Sequence, residues 1–411
     1  MCVREASRSK TGGQCPPLLI KRCIEMEKLY EQDSFLVKFE AQVVACQKGK
    51  TGFDLVLDRT AFYPEGGGQP YDTGRLEAVE GRARVRVLEV HNREGQVVHT
   101  CNHPLEPGTA VTGIIDWDRR FDLMQQHSGE HIVSGLAHYL WGCENVGFHL
   151  GTEVVTIDFD RPLTEEQFAL LEAETNRYIW QLSLPVEITY PSPEELSKID
   201  YRSKKELTGQ VRIVTFSGAD CCACCGTHVK SAGQVGLVKL LSMQKFREGV
   251  RIELVCGGRA LEYLGRTLEQ NTQVSRLLSA KVFETGTAVQ RLMEENNALK
   301  SRLMALEESR FASLAQQYAG AGDVLLFEDG LSSDSLRRLC SAVLRTCGGR
   351  CVCFSGDDFN GYKYVVGQLG GDLRNFTKTL NQGLNGRGGG KPDFVQGSVQ
   401  AARDSIERFF Q

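Results

Sequence analysis

The sequence lacks several features that would mark a membrane-spanning, secreted or broadly nucleic-acid-coating protein. It contains no run of eighteen apolar residues, so it predicts no membrane-spanning helix. The first 25 residues are polar and basic around Pro16 and Pro17, without the apolar stretch of a secretory signal. The formal net charge of −4 argues against a broad basic surface, so any contact with nucleic acid is expected to be local.

Cysteine, by contrast, is abundant: the chain has 15 cysteines. They lie mostly in apolar segments or in the cluster between Cys221 and Cys225. In a large chain without secretory features, buried thiols and metal ligands fit better than a disulfide framework. We therefore expect a reducing, cytoplasmic location.

The pattern along the chain predicts an α+β protein of several domains. With 411 residues, 41% of them apolar, two to four domains can each bury a core. From Phe35 to Trp117, short alternating runs separated by glycine turns predict a small β-barrel. From Asp118 helices and strands are mixed in an α+β layer, with one helix expected to start at Thr164. Beyond Gly322, strands and helices alternate as a small α/β domain.

Residues 258–318 contain no proline and predict helices. Within them, six positions follow alternating spacings of four and three: Val289, Leu292, Asn296, Leu299, Leu303 and Leu306. The series spans fewer than three heptads. Both an intramolecular helical hairpin and a dimer seam are therefore open interpretations.

Two pairs of metal-ligating residues form the strongest chemical motif. His127 and His131 are four residues apart in an apolar-periodic segment, so both imidazoles project from one face of a helix. Cys224 and His228 follow later, around Gly226. Three imidazoles and one thiolate suit a tetrahedral zinc ion. The alternative is a pair of packed histidines and an unrelated cysteine-rich turn, but the two pairs together favour one Zn²⁺ per chain.

The first pair also permits a different zinc enzyme. His127-Ser-Gly-Glu-His131 has the form of the inverted zinc-peptidase motif, in which Glu130 would be the general base. This interpretation leaves Cys224 and His228 without a role. A zinc peptidase is therefore the second hypothesis.

A third segment resembles a known family. Residues 58–74 include Thr60-Ala-Phe-Tyr-Pro-Glu-Gly-Gly-Gly-Gln69, and Cys224-Cys-Gly-Thr-His228 follows the histidine pair. This order resembles the editing domain of alanyl-tRNA synthetase and, more closely, the free-standing alanyl-tRNA editing proteins called AlaX. Further similar blocks are residues 147–151, 155–158, 201–209 and 249–253. Residues 385–393 resemble the glycine-rich signature of the DHHA1 domain, which is found in the long form, AlaX-L, and we expect residues 386–393 to form a loop.

The resemblance implies four segments. They are a β-barrel domain with a glycine-rich loop at 26–117, a zinc-binding editing domain at 118–257, a helical hairpin or coiled-coil segment at 258–320, and a DHHA1-like α/β domain at 321–411. Residues 1–25 are expected to be a disordered tail or an extension upstream of the natural start. No Asp-His-His triplet occurs, so no DHH phosphoesterase half is expected. The segment before residue 35 is too short for an aminoacylation domain, so we expect no synthetase activity.

The activity implied is hydrolysis of the ester between a wrong amino acid and the terminal ribose of tRNA(Ala). The expected targets are serine and, in some cases, glycine, whereas alanyl-tRNA(Ala) is spared. A second site is needed because a single pocket discriminates weakly against a smaller residue or an added hydroxyl. Zinc could activate water or grip the substrate's amino group, and the sequence leaves both open. A tRNA-binding module without catalysis is a further alternative.

The resemblance also assigns roles to individual residues. Thr60 matches the threonine that offers its hydroxyl to serine, and Gln69 and Gln126 are the other candidate catalytic residues. The glycines are expected to let the backbone approach the terminal adenosine; they are Gly66, Gly67 and Gly68. Basic residues that flank the Cys/His turn form candidate tRNA-binding patches, which include Arg202, Lys204, Lys205 and Arg251. In the carboxy-terminal domain, Arg387 and Lys391 are expected to contact phosphates. The family expectation for the carboxy-terminal third is a homodimer through residues 258–411.

The cysteine turn departs from the synthetase pattern. Cys225 stands where the synthetase has glycine, which leaves Cys221 and Cys222 as further competing thiols. Cys224 is kept as the ligand because it is four residues before His228. His138 is expected to pack in the core, and His149 is expected to be structural or to face the tRNA.

Overall fold

The computed structural model describes residues 26–203 and 209–411, which fall into two compact units. One unit ends at Glu269 and the other covers Gln270–Gln411. The predicted extension at residues 1–25, and the predicted tRNA contacts Lys204 and Lys205, lie outside the described residues. Within the described part, no helix is both long and apolar enough to cross a membrane.

The first unit opens with a closed six-stranded barrel, which confirms the prediction from the alternating pattern. The first elements are β1 (Glu27–Lys28), α1 (Leu29–Gln32), β2 (Lys38–Lys48), β3 (Phe53–Leu57), β4 (Arg59–Thr60), β5 (Gly74–Ala78), β6 (Arg84–Arg93), β7 (Gln96–Cys101) and β8 (Ala110–Ile115). The barrel order is β2-β3-β7-β6-β5-β8, and every neighbouring pair is antiparallel. Leu55, Leu76, Val90, Val97 and Val111 are fully buried, because alternate residues of a strand point to one face.

The helix that carries the histidine pair follows the barrel directly. This helix, α2 (Trp117–Trp141), begins at Asp116, whose carboxylate accepts the Arg119 N–H, and ends at Gly142 in the left-handed region (φ 66°). A Cβ at Gly129 would lie 2.3 Å from Cys256 Sγ, so a larger residue at this position would clash. The glycine therefore allows the helix to pack closely against the strand that holds Cys256.

Two sheets complete the α+β layer. The remaining elements of this layer are β9 (Asn145–Leu150), β10 (Val155–Phe159), α3 (Glu165–Arg177), β11 (Val186–Thr189), α4 (Pro193–Leu196), β12 (Ile213–Phe216), β13 (Asp220–Ala223), β14 (Val238–Phe246) and β15 (Gly249–Cys256). The sheets have the orders β14-β15-β10-β9 and β11-β12-β13. The helix α3 starts at the predicted Thr164, which forms a capping box with Gln167. A π-helical turn, Tyr178–Leu182, follows it.

A buried ion pair ties the glycine-rich loop to α2. The Arg120 guanidinium donates to both carboxylate oxygens of Asp72, and neither side chain is exposed. It also donates to the carbonyl oxygens of Ser34 and Ala61, at 2.8 and 2.6 Å. Asp72 in turn accepts the Tyr63 N–H at 2.6 Å. The loop between β4 and β5 is therefore fixed against the first turns of α2.

Two helices lie in the segment predicted to be helical. They are α5 (Gly257–Leu277) and α6 (Thr285–Gln317), and the boundary between the two units falls within α5. The heptad positions lie in α6, where Leu299, Leu303 and Leu306 are 66%, 57% and 63% exposed. This apolar stripe, which we call the α6 seam, is therefore at the surface of the second unit.

The second unit continues as a five-stranded sheet with helices. Its elements are β16 (Gly322–Phe327), α7 (Ser333–Cys347), β17 (Gly348–Asp357), β18 (Gly361–Gln368), α8 (Arg374–Gly383), β19 (Gly386–Lys391), β20 (Phe394–Val399) and α9 (Arg403–Phe409). The order is β16-β17-β18-β20-β19, with only the β16–β17 pair parallel among these strands.

The predicted glycine-rich loop at 386–393 is instead mostly the edge strand β19, paired with β20. The reason is close packing: a Cβ at Gly388 would lie 2.2 Å from the Tyr364 hydroxyl oxygen. Glycine here permits the strand to approach its neighbours, so the glycine run indicates tight pairing as well as a turn.

Candidate metal centre

The four predicted ligand residues lie together, although they come from two distant segments. His127 and His131 project from α2, while Cys224 and His228 lie in the turn after β13. One ligand atom from each of the four lies within 4.8 Å of the others. The ring centroid of His228 is 4.6 Å from that of His127 and 4.9 Å from that of His131. The i, i+4 spacing on the helix therefore places both imidazoles against the turn.

Several nitrogen atoms of this cluster lack a partner. His131 Nε2 and both ring nitrogens of His228 are buried and accept or donate no hydrogen bond within the described residues. Buried polar atoms are normally satisfied, because an unpaired one costs free energy. Burial lowers the pKa of His228 to about 3, so this imidazole is neutral at pH 7 and keeps a lone pair. Three imidazoles and one sulfur with open lone pairs fit a tetrahedral zinc ion.

Cys224 has the electrostatic setting of a thiolate. Burial opposes ionisation, but the three neighbouring imidazoles of His127, His228 and His131 together outweigh it and hold the pKa of the Cys224 thiol well below its usual value. Its sulfur lies 3.5 Å from His127 Nε2 and accepts the Gly226 N–H at 3.4 Å. The thiolate is the form that binds metals.

The competing thiols are placed differently. Cys222 is near His131 and Asp220, but the His131 nitrogen on that side is already bonded to the Asp220 carboxylate. Cys221 Sγ lies 3.6 Å from the Thr215 hydroxyl, and Cys225 is exposed. Of these cysteines, only Cys224 is grouped with all three histidines.

Two side chains outside the cluster orient its histidines. His127 Nδ1–H donates to Gln69 Oε1 at 2.9 Å, and Gln69 also bonds the hydroxyl and the N–H of Thr227. His131 Nδ1–H donates to Asp220 Oδ2 at 2.7 Å. Each bond leaves Nε2 as the nitrogen with a free lone pair, directed towards the cluster. Gln69, predicted as a catalytic residue, thus contacts a ligand histidine.

A cavity of about 410 Å³ opens over the cluster. Its wall includes Gly67, Gly68, Phe148 and Arg202 together with three members of the cluster. The Phe148 ring stacks on His127 with centroids 5.2 Å apart. A Cβ at Gly68 would lie 2.8 Å from that ring, so the glycine is needed for this packing. The predicted Gly66 exchanges backbone hydrogen bonds with Gln69.

Thr60 and Gln126 lie elsewhere than on the cavity wall. Thr60 is fully buried in the barrel, where its hydroxyl donates to His99 Nε2 at 2.8 Å and accepts the Phe62 N–H at 3.1 Å. Burial lowers the pKa of His99 to about 4, so this ring is a neutral acceptor. The amide of Gln126 bonds the backbone N–H and carbonyl of Cys256.

Glu130, the general base of the zinc-peptidase hypothesis, is fixed by hydrogen bonds. Glu130 lies on the cavity wall, and its Oε1 accepts the Ser134 hydroxyl at 2.8 Å and an Asn145 amide N–H at 2.5 Å. The Asn145 bond joins α2 to β9, whereas the Ser134 bond lies within α2. They give the Glu130 carboxylate a role in positioning the helix.

The predicted tRNA contacts occupy two surfaces. Arg251 pairs with Asp158 through two bonds of 2.6 and 2.8 Å and stacks over Phe246. In the second unit, Arg387 and Lys391 are exposed and share one face of β19 because they are four residues apart on a strand.

Sequence reasoning missed Asp220, Phe148 and His99, and it placed Arg202 in a surface patch. No local spacing connects these residues with the motifs. The available signals were the blocks at 147–151 and 201–209, which contain Phe148 and Arg202.

Comparison with known proteins gives two family matches within the chain. The family described as "tRNA synthetases class II (A)" matches residues 24–119. The family described as "Threonyl and Alanyl tRNA synthetase second additional domain" matches residues 211–253, which contain Cys224 and His228.

Several relatives match most of the chain. The alanyl-tRNA editing protein Aarsd1 of Mus musculus is 31% identical over 68% of this chain and 71% of its own length. The editing protein Aarsd1-A of Xenopus laevis is 28% identical over 92% of this chain and 95% of its own. The editing protein AlaX-L of Pyrococcus horikoshii is 25% identical over 93% of this chain and 96% of its own.

Proposed function

The chain belongs to the family of alanyl-tRNA editing proteins, and from this premise we propose that it deacylates mischarged tRNA(Ala). The substrates are chiefly seryl-tRNA(Ala) and secondarily glycyl-tRNA(Ala), with alanyl-tRNA(Ala) spared. The observation that carries the proposal is the cluster of His127, His131, Cys224 and His228, which has unpaired ring nitrogens and contributes three of its four members to the wall of a cavity.

Different residues at this site are proposed to orient the metal ligands, to cover them and to leave room for the substrate. A bound zinc ion would supply Lewis-acid chemistry next to the ester. Gln69 and Asp220 hold the ligand imidazoles in one tautomer and orientation. Phe148 and Phe216 stack on His127 and His131 and limit the access of water to them. Gly67 and Gly68 leave room on the wall for the terminal nucleotide.

Thr60 is proposed to recognise the serine side chain. Because its hydroxyl proton is given to His99, it can act towards a substrate only as an acceptor. The serine hydroxyl can donate to such an oxygen, whereas the methyl group of alanine cannot. Gln126 is proposed to act indirectly, by holding α2 to β15.

We propose that the four predicted segments bind different parts of the tRNA and that two of them also form a dimer. The barrel at 26–117 and the zinc-binding domain at 118–257 take the acceptor end of the tRNA. The helical segment at 258–320 and the DHHA1-like domain at 321–411 form a homodimer and contact the tRNA body. The exposed α6 seam supports association. Arg387 and Lys391 share a face of β19 with Gly389, where an added Cβ would meet nothing within 4 Å, and this open surface supports phosphate contacts.

The proposed location is the cytoplasm. All twelve cysteines of the described residues are free thiols, which supports a reducing compartment.

The decisive experiment is single-turnover deacylation of seryl-tRNA(Ala), with glycyl- and alanyl-tRNA(Ala) beside it. We expect rapid loss of serine, slower loss of glycine and retention of alanine. Binding of the tRNA without turnover would support the binding-module alternative and overturn the proposal. Peptide cleavage that Glu130→Gln abolishes would support the zinc-peptidase alternative instead.

A further inference from the structure

A buried aspartate connects a ligand histidine with an arginine. Asp220 Oδ2 accepts His131 Nδ1–H at 2.7 Å. The same carboxylate receives two bonds from Arg202, Nε to Oδ1 at 2.7 Å and Nη2 to Oδ2 at 2.8 Å. The Asp220 side chain is 1% exposed and that of Arg202 is 13% exposed. The three side chains form a continuous chain of charge-assisted hydrogen bonds.

The arrangement explains how a carboxylate can be kept ionised beside the cluster. A buried carboxylate without a partner would be costly, and the paired guanidinium compensates its charge. Its two-point contact fixes the plane of the carboxylate. Oδ2 therefore has a defined direction towards His131, which leaves His131 Nε2 aimed at the cluster.

The three ligand histidines differ in the hydrogen-bond partner of the ring nitrogen that faces away from the cluster. His131 has a charged partner, and His127 has the neutral amide of Gln69. Both ring nitrogens of His228 lack a hydrogen-bond partner among the described residues. A carboxylate partner increases the basicity of an imidazole more than an amide does, because it stabilises the donated proton electrostatically.

We propose that Asp220, held in place by Arg202, is a positioning residue that sets the metal affinity of the centre through His131. Arg202, which sequence analysis assigned to a tRNA-binding patch, thus serves the metal site from the cavity wall. The inference rests on the metal centre of the proposed function, but not on its substrate.

The chain offers a matched control. Asp158 and Arg251 form a second two-point pair, with bonds of 2.6 and 2.8 Å, on the sheet that contains β10 and β15. Asp158 is not among the residues grouped with the cluster. A substitution at Asp158 therefore removes the same type of ion pair without touching a ligand.

The test compares Asp220→Asn, Asp220→Ala, Arg202→Gln and Asp158→Asn in the full-length protein. Zinc affinity is measured by competition with a chromophoric chelator, and circular dichroism checks that each variant is folded. We expect Asp220→Asn and Arg202→Gln to bind zinc roughly 10-fold more weakly and Asp220→Ala about 100-fold more weakly. Asp158→Asn should match the wild type. Deacylation by Asp220→Asn should recover when zinc is in excess, which an unfolded or misfolded variant would not do.

The outcomes are separable. If Asp220→Asn and Arg202→Gln, both folded, bind zinc as tightly as the wild type, this inference is wrong while the proposed function stands. If they bind zinc more weakly but the wild type never deacylates tRNA, the inference stands and the proposed function fails. A wild type that binds no zinc overturns this inference and the metal centre together. Should Asp220→Ala not fold, the two milder variants decide the question.

Discussion

Each unit of the molecule contains a cluster of buried metal-ligating side chains, and the two clusters differ in almost every other respect. In the second unit, the sulfur atoms of Cys340, Cys351 and Cys353 lie within 4.8 Å of one another, as close as the ligand atoms of the His/Cys cluster. The Cys340 thiol donates to the Cys351 carbonyl, and the sulfurs of Cys351 and Cys353 are 3.6 Å apart. This three-cysteine cluster packs in an apolar core between α7, which holds Cys340, and β17, which holds the other two cysteines.

The difference separates the candidate metal centre from a packed core. Around His127 and His131, an amide and a carboxylate orient the rings, and a cavity gives access. The three cysteines bond with one another and with the backbone, and aliphatic side chains such as Leu336 and Leu339 surround them. Buried thiols of this kind behave as small apolar side chains. Proximity of ligand atoms is therefore a weaker criterion than oriented partners and access.

The largest expected effect contrasts the two clusters directly. His131→Ala and Cys224→Ala should lose most of the bound zinc together with the deacylase activity, because each removes a ligand. Cys340→Ala should keep both and lose only about 0.5–3 kcal/mol of stability from core packing. The measurements are metal content by atomic emission and the free energy of unfolding in urea. Loss of a metal equivalent from Cys340→Ala would make the three-cysteine cluster a second metal centre.

The second prediction asks whether Thr60 serves the substrate or the core, since its buried hydroxyl already donates to His99 and accepts from Phe62. Thr60→Val keeps the shape but removes the hydroxyl, at a cost of about 1–3 kcal/mol for the interaction with a serine side chain. Removal of serine should slow by roughly five- to 150-fold, and removal of glycine much less. The ratio of the two single-turnover rates is the measurement. Equal losses on both substrates would mean that Thr60 is structural.

The smallest effect on stability is expected at the α6 seam. Its apolar side chains lie on the surface of the second unit, unlike those of the two buried clusters. Leu299→Asp with Leu303→Asp should convert a dimer into monomers, because charges would enter the buried interface. The change in monomer stability should stay within about 0.5 kcal/mol, since both side chains are exposed. Arg302→Asp is a control on the same helix. Light scattering gives the mass, and a monomeric wild type would contradict the dimer.

The sequence was sufficient wherever a local pattern carried the information. The i, i+4 spacing placed His127 and His131 on one helix face, and alternation predicted the barrel. The strand β9 was missed because Gly147 interrupts a segment that does not alternate in burial. The strand β19 was taken for a loop because its glycines resemble those of a turn.

The contacts that orient the site were beyond such reasoning. His127 meets Gln69 across 58 residues, and His131 meets Asp220 across 89. Neither pair has a spacing that a periodic structure would produce. These contacts depend on how the barrel loop and the strand β13 pack against α2, which only the tertiary fold determines.

The buried pair between Arg120 and Asp72 has a consequence for how this sequence can drift over evolution. Losing one partner leaves an uncompensated charge in the interior, at a cost of about 3–5 kcal/mol. That is a large part of the roughly 5–15 kcal/mol that keeps a typical domain folded. A single substitution at either position therefore removes much of this stability, and a simultaneous exchange is tolerated only if the new pair also satisfies the Tyr63 N–H and the carbonyls of Ser34 and Ala61. Positions 72 and 120 should therefore change together among descendants of this chain, or not at all.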